Sequence, residues 1–172
     1  MQIQPLSGDT HMNNTGAYLK QVLGTVAKMG SKAISSDAMF VVDGYEDIRL
    51  LTKQFPQPVT TTAGEIEVPG PLGTVTVQPQ QLKVYQSGQI QFYETEDGLV
   101  EAFLESIQLN GSRFDATIYE GTMEQYKRAW RISNCFIEVE NPDRDWENRS
   151  QVLMLSGTLH FHYTGDKLPG NI

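Results

Sequence analysis

The sequence predicts a mostly β domain of the α+β class, with one α-helix docked on the strands and one long excursion leaving them. Three stretches carry this. Residues 152–164 alternate: Leu153, Leu155, Gly157, Leu159, Phe161 and Tyr163 share one parity, and Thr158, His160, His162 and Thr164 the other, the period of a strand with one buried face. Residues 95–110 switch to a helical period, with Leu99, Val100, Phe103, Leu104 and Ile107 on one stripe and Glu101, Glu105 and Gln108 opposite. Residues 56–81 follow neither rule. They hold five prolines and three glycines around two short β-prone pieces, 65–68 and 74–77.

In chain order, residues 1–14 are polar and read as a mobile or partner-bound arm. Residues 15–34 allow a helix, with Tyr18, Val22, Val26 and Met29 on a narrow stripe and Lys20, Lys28 and Lys32 elsewhere. Gly24 and Gly30 weaken it by about 1 kcal/mol each relative to Ala. Residues 39–43 read as a strand, 44–47 as a turn and 48–55 as a second strand, so 39–55 is expected to be a hairpin. The excursion at 56–81 is long for a compact domain. Its Val and Thr content argues against plain disorder, so it is expected to be extended and covered by another chain.

Residues 82–86 and 89–93 bracket Ser87-Gly88, a tight-turn signal. In the helix that follows, Thr95 is the expected N-cap, Glu96 and Asp97 complement the helix dipole, and Asn110-Gly111 ends it. A helix this short is marginal alone in water, so its stripe must rest on the strands. Residues 114–119 form the next strand. Residues 126–139 form a long one, with Trp130, Ile132 and Phe136 on one face and Cys135, Ile137 and Val139 on the other, a pattern that requires two buried faces or a bulge. Asn141-Pro142-Asp143 opens an acidic loop, and residues 165–172 read as a polar tail.

A chain of 172 residues is most simply one domain. No apolar run approaches the roughly 18 residues of a membrane span, and the first ten residues lack the basic and apolar regions of a secretory signal. With the single Cys135, no disulfide forms within the chain, which fits a reducing compartment. The net charge of −8 is uneven: residues 1–86 hold 6 Lys/Arg against 7 Asp/Glu, residues 87–172 hold 7 against 14. An acidic chain is poorly suited to gripping nucleic acid, whose affinity rests on neutralised phosphates.

Motifs for nucleotide binding, serine hydrolysis or zinc hydrolysis are missing from the sequence. His160 and His162 share a strand face and could supply two metal ligands, but spacing ties no third ligand to them. Cys135 reads as a buried, inert thiol. Trp130 and Trp146, with Arg128, Arg131 and Arg144, suggest base stacking only until Glu138, Glu140, Asp143, Asp145 and Glu147 are counted. Neither an enzyme nor a cofactor is expected.

The order of parts carries a further reading. The stretch M-F-V-V-D-G-Y-E-D-I-R-L-L-T-K-Q-F leads into a long loop containing T-T-T-A-G-E-I-E-V-P-G-P. A strand hairpin, the helix E-D-G-L-V-E-A-F-L-E-S-I and three strands ending in L-S-G-T-L-H-F-H-Y-T-G-D follow. This resembles the tail-tube proteins of long-tailed bacteriophages and, more distantly, the tube protein of type VI secretion systems. The likeness covers roughly residues 38–166, leaving 1–37 as a partly helical arm and 167–172 as a tail. It implies a β-barrel-like protomer with a flanking helix, six of which form a ring, rings stacking into a hollow tube.

The same resemblance implies a structural virion protein, made in the host cytoplasm, that conducts DNA only in transit. Its partners would be copies of itself, a tape-measure protein, a baseplate, a tail terminator and, in a contractile tail, a sheath. A type VI-like ring or a tube initiator at the baseplate is the near alternative. The excursion then supplies contacts between subunits through Pro56, Pro58, Val59, Ile66, Val68, Pro71 and Leu72, while Glu65 and Glu67, on one strand parity, are candidates for the bore. Two rival readings stand beside it: a small-molecule-binding barrel lined by Tyr85, Phe92, Tyr119 and Phe161, and an enzyme using His160 and His162.

Overall fold

The computed structural model describes residues 15–172. The polar arm expected at 1–14, with His11, lies outside the described residues. The chain divides into two units, the first ending at Ser35 and the second spanning Ser36–Ile172.

In the first unit, α1 spans Gly16–Lys28. Thr15 caps it, its hydroxyl accepting from the Tyr18 N–H at 3.4 Å. Gly30, with φ at 83°, stands just past the end, where a left-handed residue closes a helix, so it marks the stop rather than weakening the interior. None of the helix residues is buried.

The second unit is built on a seven-stranded antiparallel sheet curled into a nearly closed barrel. Its strands are β1 (Met39–Val42), β2 (Thr52–Gln54), β5 (Tyr85–Tyr93), β6 (Phe114–Gly121), β7 (Tyr126–Val139), β8 (Met154–His162) and β9 (Lys167–Pro169). Hydrogen bonds link them in the order β1-β6-β7-β8-β5-β2, with β9 added on β7. Two further strands, β3 (Glu65–Pro69) and β4 (Val75–Pro79), pair only with each other. The interior is filled by alternate residues of the long strands: Ile90 and Phe92 from β5, Ala116 and Ile118 from β6, Ile132 from β7, Leu159 and Phe161 from β8. This is the alternation read in residues 152–164.

The hairpin expected at 39–55 does not form. Residues Glu46–Leu50 make a 3-10 helix, entered through Gly44 at φ 84°, and Arg49 donates to the Glu46 carbonyl at 2.7 Å across that turn. Ile48 turns into the core. β1 pairs with β6 and β2 with β5, so the two segments become opposite ends of the sheet instead of neighbours in a hairpin. The ends still approach each other around the barrel, where the Phe40 and Phe55 rings stack with centroids 5.8 Å apart.

The turn expected at Ser87-Gly88 is absent as well. β5 runs straight through it and pairs with β8 along its whole length, Ser87 opposite His160 and Gly88 opposite Leu159. A Cβ on Gly88 would stand 2.4 Å from Pro56 Cβ, so this glycine admits a crossing proline and makes no turn.

In β7 the bulge alternative applies. The β7–β8 register breaks between Ser133 and Phe136, with Asn134 left-handed at φ 52° and its N–H held by the Asp115 carboxylate at 3.1 Å. One extra residue flips the parity, so Cys135 follows Ile132 into the core and Phe136 turns outward. The expected tail also acquires structure: β9 pairs Arg128 with Pro169 and Trp130 with Lys167.

Helix α2 spans Leu99–Leu109 and lays Val100, Phe103 and Ile107 into the barrel. Leu104 is half-buried against the same core, whereas Leu99 is 53% exposed and leaves the packed stripe. The N-terminus differs from expectation. Gly98 at φ 72° is the capping residue, and the side chain doing most of the bonding is Glu94. Its carboxylate accepts from the N–H groups of Thr95 at 2.9 Å, Val100 at 3.0 Å and Glu101 at 3.0 Å, while the Thr95 hydroxyl takes Leu99 N–H at 3.1 Å. An anion bonded to free N–H groups at the positive end of a helix is well placed. Glu94→Ala should therefore cost about 1–2 kcal/mol in urea unfolding, with Glu94→Gln recovering part of the loss.

Candidate functional site

The excursion is a two-stranded ribbon. β3 and β4 pair from Glu65 with Pro79 to Pro69 with Val75, and bonds from Ala63 N–H to Gln81, and from Lys83 N–H to Thr61, carry the ladder toward the barrel. At roughly 3.3 Å per residue the ribbon is about 30 Å long. Every residue of both strands is exposed. Opposed residues share a face, so Glu65 and Glu67 stand with Pro69, Val75, Val77 and Pro79, while Ile66 and Val68 stand with Thr76 and Gln78. The β-prone pieces of this stretch thus satisfy one another's hydrogen bonds and bury nothing.

The base of the ribbon is fixed. Gln86, buried, donates from Nε2 to the carbonyls of Val59 at 2.7 Å and Lys83 at 3.2 Å, and its Oε1 accepts from Val59 N–H at 3.3 Å. This one side chain clamps the outgoing and returning segments together. Pro58, expected at a contact with a neighbour, is instead fully buried within its own chain, and Pro56 is half-buried over Gly88. Val59, Ile66, Val68, Pro71 and Leu72 are exposed. At the tip Gly70 N–H reaches the Thr74 carbonyl at 2.6 Å, and the Thr74 hydroxyl donates to Pro71 at 2.7 Å. Between them Leu72 has φ 57° and is fully exposed. A leucine in the left-handed region is strained, and a free apolar side chain there gains nothing from its own chain.

A second feature lies on the outer face of β5, β7 and β8. His160 stacks between Phe136, centroids 4.5 Å apart, and Tyr85, at 5.8 Å. The Tyr85 hydroxyl bonds to His160 Nδ1. Nε2 of the same ring makes no hydrogen bond, and Glu138 lies 3.5 Å away. His162 meets Asn134 at 3.4 Å. The two histidines are thus held by aromatic and amide neighbours, and among the described residues no three of His, Cys, Asp and Glu gather as metal ligands. Sequence reasoning missed the Phe136 stack because only the bulge turns that ring outward.

The residues expected to line a ligand pocket do not converge. Phe92 and Phe161 are packed inside, Tyr85 is outside on His160, and Tyr119 meets Tyr126 edge-on with centroids 4.8 Å apart. Cys135 is fully buried, and that burial pushes its thiol up to about 12. Trp130 belongs to the core, and Trp146 is exposed on the acidic loop. Outside the barrel, Arg131 bonds Asp43 and Thr117, the Asp43 contact raising the guanidinium further, and Arg128 pairs with Glu120, holding that carboxyl below its usual range.

No family model matches the chain, and no curated protein sequence matches it. Solved structures share its fold. A chain of the anti-feeding prophage (AFP) tube-terminating cap superposes with a TM-score of 0.52 at 16% identity, over 76% of this chain and 87% of that one. A chain of the extended sheath–tube complex of PVC, an extracellular contractile injection system, gives 0.50 at 19% identity over 80% and 92%. A chain of the six-fold symmetrised AFP baseplate gives 0.52 at 12% identity over 84% and all of that chain. The barrel with its flanking helix is therefore the fold seen in chains of contractile injection particles.

Proposed function

We propose that the chain is a structural protein of a tail-like particle, a protomer of six-membered rings that stack into a hollow tube. The observation that carries this reading is the ribbon: a hydrogen-bonded arm about 30 Å long, exposed on both faces and clamped at its base by Gln86. On a barrel whose fold recurs in tube, cap and baseplate assemblies, such an arm suits contact with a neighbouring copy through Val59, Ile66, Val68, Pro71 and Leu72. Head-to-tail contacts of one kind generate rings and filaments. Baseplate, terminator, tape-measure and, in a contractile tail, sheath proteins complete the particle, and the virion tail is the location this implies. Replacing residues 61–83 with a short Gly/Ser linker should leave the melting transition of the barrel nearly unchanged and abolish rings in negative-stain microscopy. Loss of the folded barrel would instead place the ribbon in the core.

The bore follows from charge. A wall that passes DNA should bind few phosphates, and the ribbon between Glu65 and Pro79 has no Lys or Arg, with Glu65 and Glu67 on one face. Replacing both with Lys should preserve rings and slow DNA passage in a salt-sensitive way. Normal passage through normal tubes would put these carboxylates on the outer wall.

A second reading, a ring at the end of a tube, is favoured by the likeness to the AFP cap and baseplate chains. Single rings that do not lengthen with protein concentration would select it over the main tube.

A further inference from the structure

Five asparagines lie among the described residues, and the fold shields four of them from their own backbone. An asparagine is labile where the amide nitrogen of the next residue can reach its side-chain carbonyl carbon. That needs a nitrogen with a hydrogen to lose, a backbone able to bend, and little bulk on the following residue. Asn141 precedes Pro142, whose nitrogen carries no hydrogen. Asn134 lies within β7, and its successor Cys135 is fully buried. After Asn148, the Arg149 N–H is held by the Glu147 carbonyl at 3.2 Å. Asn171 is fastened at both ends of its amide, Oδ1 accepting from Tyr126 N–H at 2.9 Å and Nδ2 donating to the Glu124 carbonyl at 2.7 Å.

Asn110 has none of these ties. It is exposed at the C-terminal end of α2, and Gly111 after it has no side chain and φ 89°. The helix is closed from one residue later, by Ser112 N–H to the Ile107 carbonyl at 2.9 Å, and among the described residues the Gly111 N–H meets no acceptor. The Asn110 side chain is tethered by Nδ2 to the Tyr45 hydroxyl at 3.4 Å, long for a hydrogen bond. The two Asp-Gly steps of the chain show the contrast. Gly44 N–H is taken by Glu46 Oε1 at 3.3 Å while Arg131 bonds the Asp43 carboxylate, and Gly98 N–H is taken by the Thr95 carbonyl at 3.0 Å.

We propose that Asn110 is a self-modification site, at which the Gly111 nitrogen closes on Asn110 Cγ and the residue converts to aspartate and isoaspartate. The nitrogen gives its proton to water or hydroxide and bonds to Cγ; the Cγ–Nδ2 bond breaks, and ammonia leaves with a proton. Water then opens the cyclic imide at one of its two carbonyls. Opening at Cγ gives aspartate, and opening at the main-chain carbonyl gives isoaspartate, whose main chain runs through Cβ and Cγ. No oxidant or reductant enters. Ring closure requires the Asn110 ψ to leave its 29°, a motion that fraying of the last helical turn supplies. The product sets a carboxylate among the C-terminal carbonyls of α2, the negative end of its dipole. Isoaspartate also lengthens the main chain by one atom just before the Ser112 bond. The site goes beyond the tube reading and does not rest on it.

The test incubates the folded full-length protein in heavy-oxygen water at mildly alkaline pH and maps its peptides by mass. Label and isoaspartate should gather at residue 110, about tenfold or more above every other asparagine of residues 15–172. In urea, where the ties at Asn134, Asn148 and Asn171 are gone, that excess should fall. Labelling at Asn110 no faster than at Asn148 in the folded chain overturns the site. So does an Asn110 that stays intact when folded and converts only in urea, which would mean that the helix end holds it. Asn110→Asp, the direct product, should melt about 1–4 °C below the parent protein. An unchanged melting point would overturn the effect on α2, whereas the label alone decides the site.

Discussion

Phe103→Ala should destabilise the barrel by about 3–5 kcal/mol in urea or thermal unfolding. The side chain is 3% exposed and sits where three elements meet. Its ring is edge-on to Tyr45 at 5.1 Å, to Phe92 at 6.2 Å and to Phe114 at 6.4 Å, joining the 3-10 turn, β5 and the start of β6 through α2. Truncation leaves a void bounded by rings that are each fixed by a different element, so the site closes poorly, and the edge-to-face contacts vanish together. The Tyr45 hydroxyl, bonded to Ser106 at 2.6 Å, would lose the aromatic wall that orients it. Glu105→Ala, on the exposed side of the same helix, should change stability by less than about 0.5 kcal/mol. A large effect at Glu105 with little at Phe103 would reverse the assignment of helix faces.

Gly157→Ala should cost on the order of 3 kcal/mol or more, from a single methyl group. Gly157 faces Ile90 of β5 on one side and Val139 of β7 on the other. A Cβ there would lie 2.0 Å from the Glu138 carbonyl oxygen and 2.8 Å from Val139 Cα. Both are backbone atoms held in a ladder, so neither can swing aside as a side-chain tip would, and β7 must separate from β8. For a chain of this size the loss corresponds to a melting point lower by roughly 6–12 °C. Gly24→Ala, in α1 with nothing within 4 Å of the added carbon, is the control and should be neutral or stabilising. Equal melting points for the two variants would mean that β7 and β8 are not held so closely at this position.

The contrast between these glycines explains what could be read from sequence. Where a pattern reports burial directly it was legible: residues 153–163 alternate because the barrel interior is on one side, and Val100, Phe103 and Ile107 recur because α2 rests on it. Glycine and short β-prone runs are ambiguous, because several tertiary causes leave the same local trace. Ser87-Gly88 reads as a turn, yet Gly88 is required by a proline thirty-two positions earlier in the chain. Residues 48–55 have the composition of a strand, but burying Ile48 and bonding Arg49 to Glu46 favour a 3-10 turn before β2 begins. Glu94 stands one residue before Thr95, the expected cap, and only the fold brings three N–H groups to its carboxylate. At the candidate site the ribbon strands were legible and their exposure inferable from length. Pro58 was not: its burial, beside the Val59 that Gln86 bonds, arises only in the fold.

The barrel's closure has a kinetic consequence. Among the described residues no ladder joins β1 to β2, and the Phe40–Phe55 stack spans that gap. Elsewhere around the wall, opening requires breaking a run of backbone hydrogen bonds, nine residue pairs in the case of β5 and β8. At the β1–β2 gap no such run of backbone bonds has to break. Amide exchange should therefore be fastest around the circumference in the three residues of β2, and slowest where β8 lies between β5 and β7. Solvent would enter the folded cylinder along this one line first, well before global unfolding.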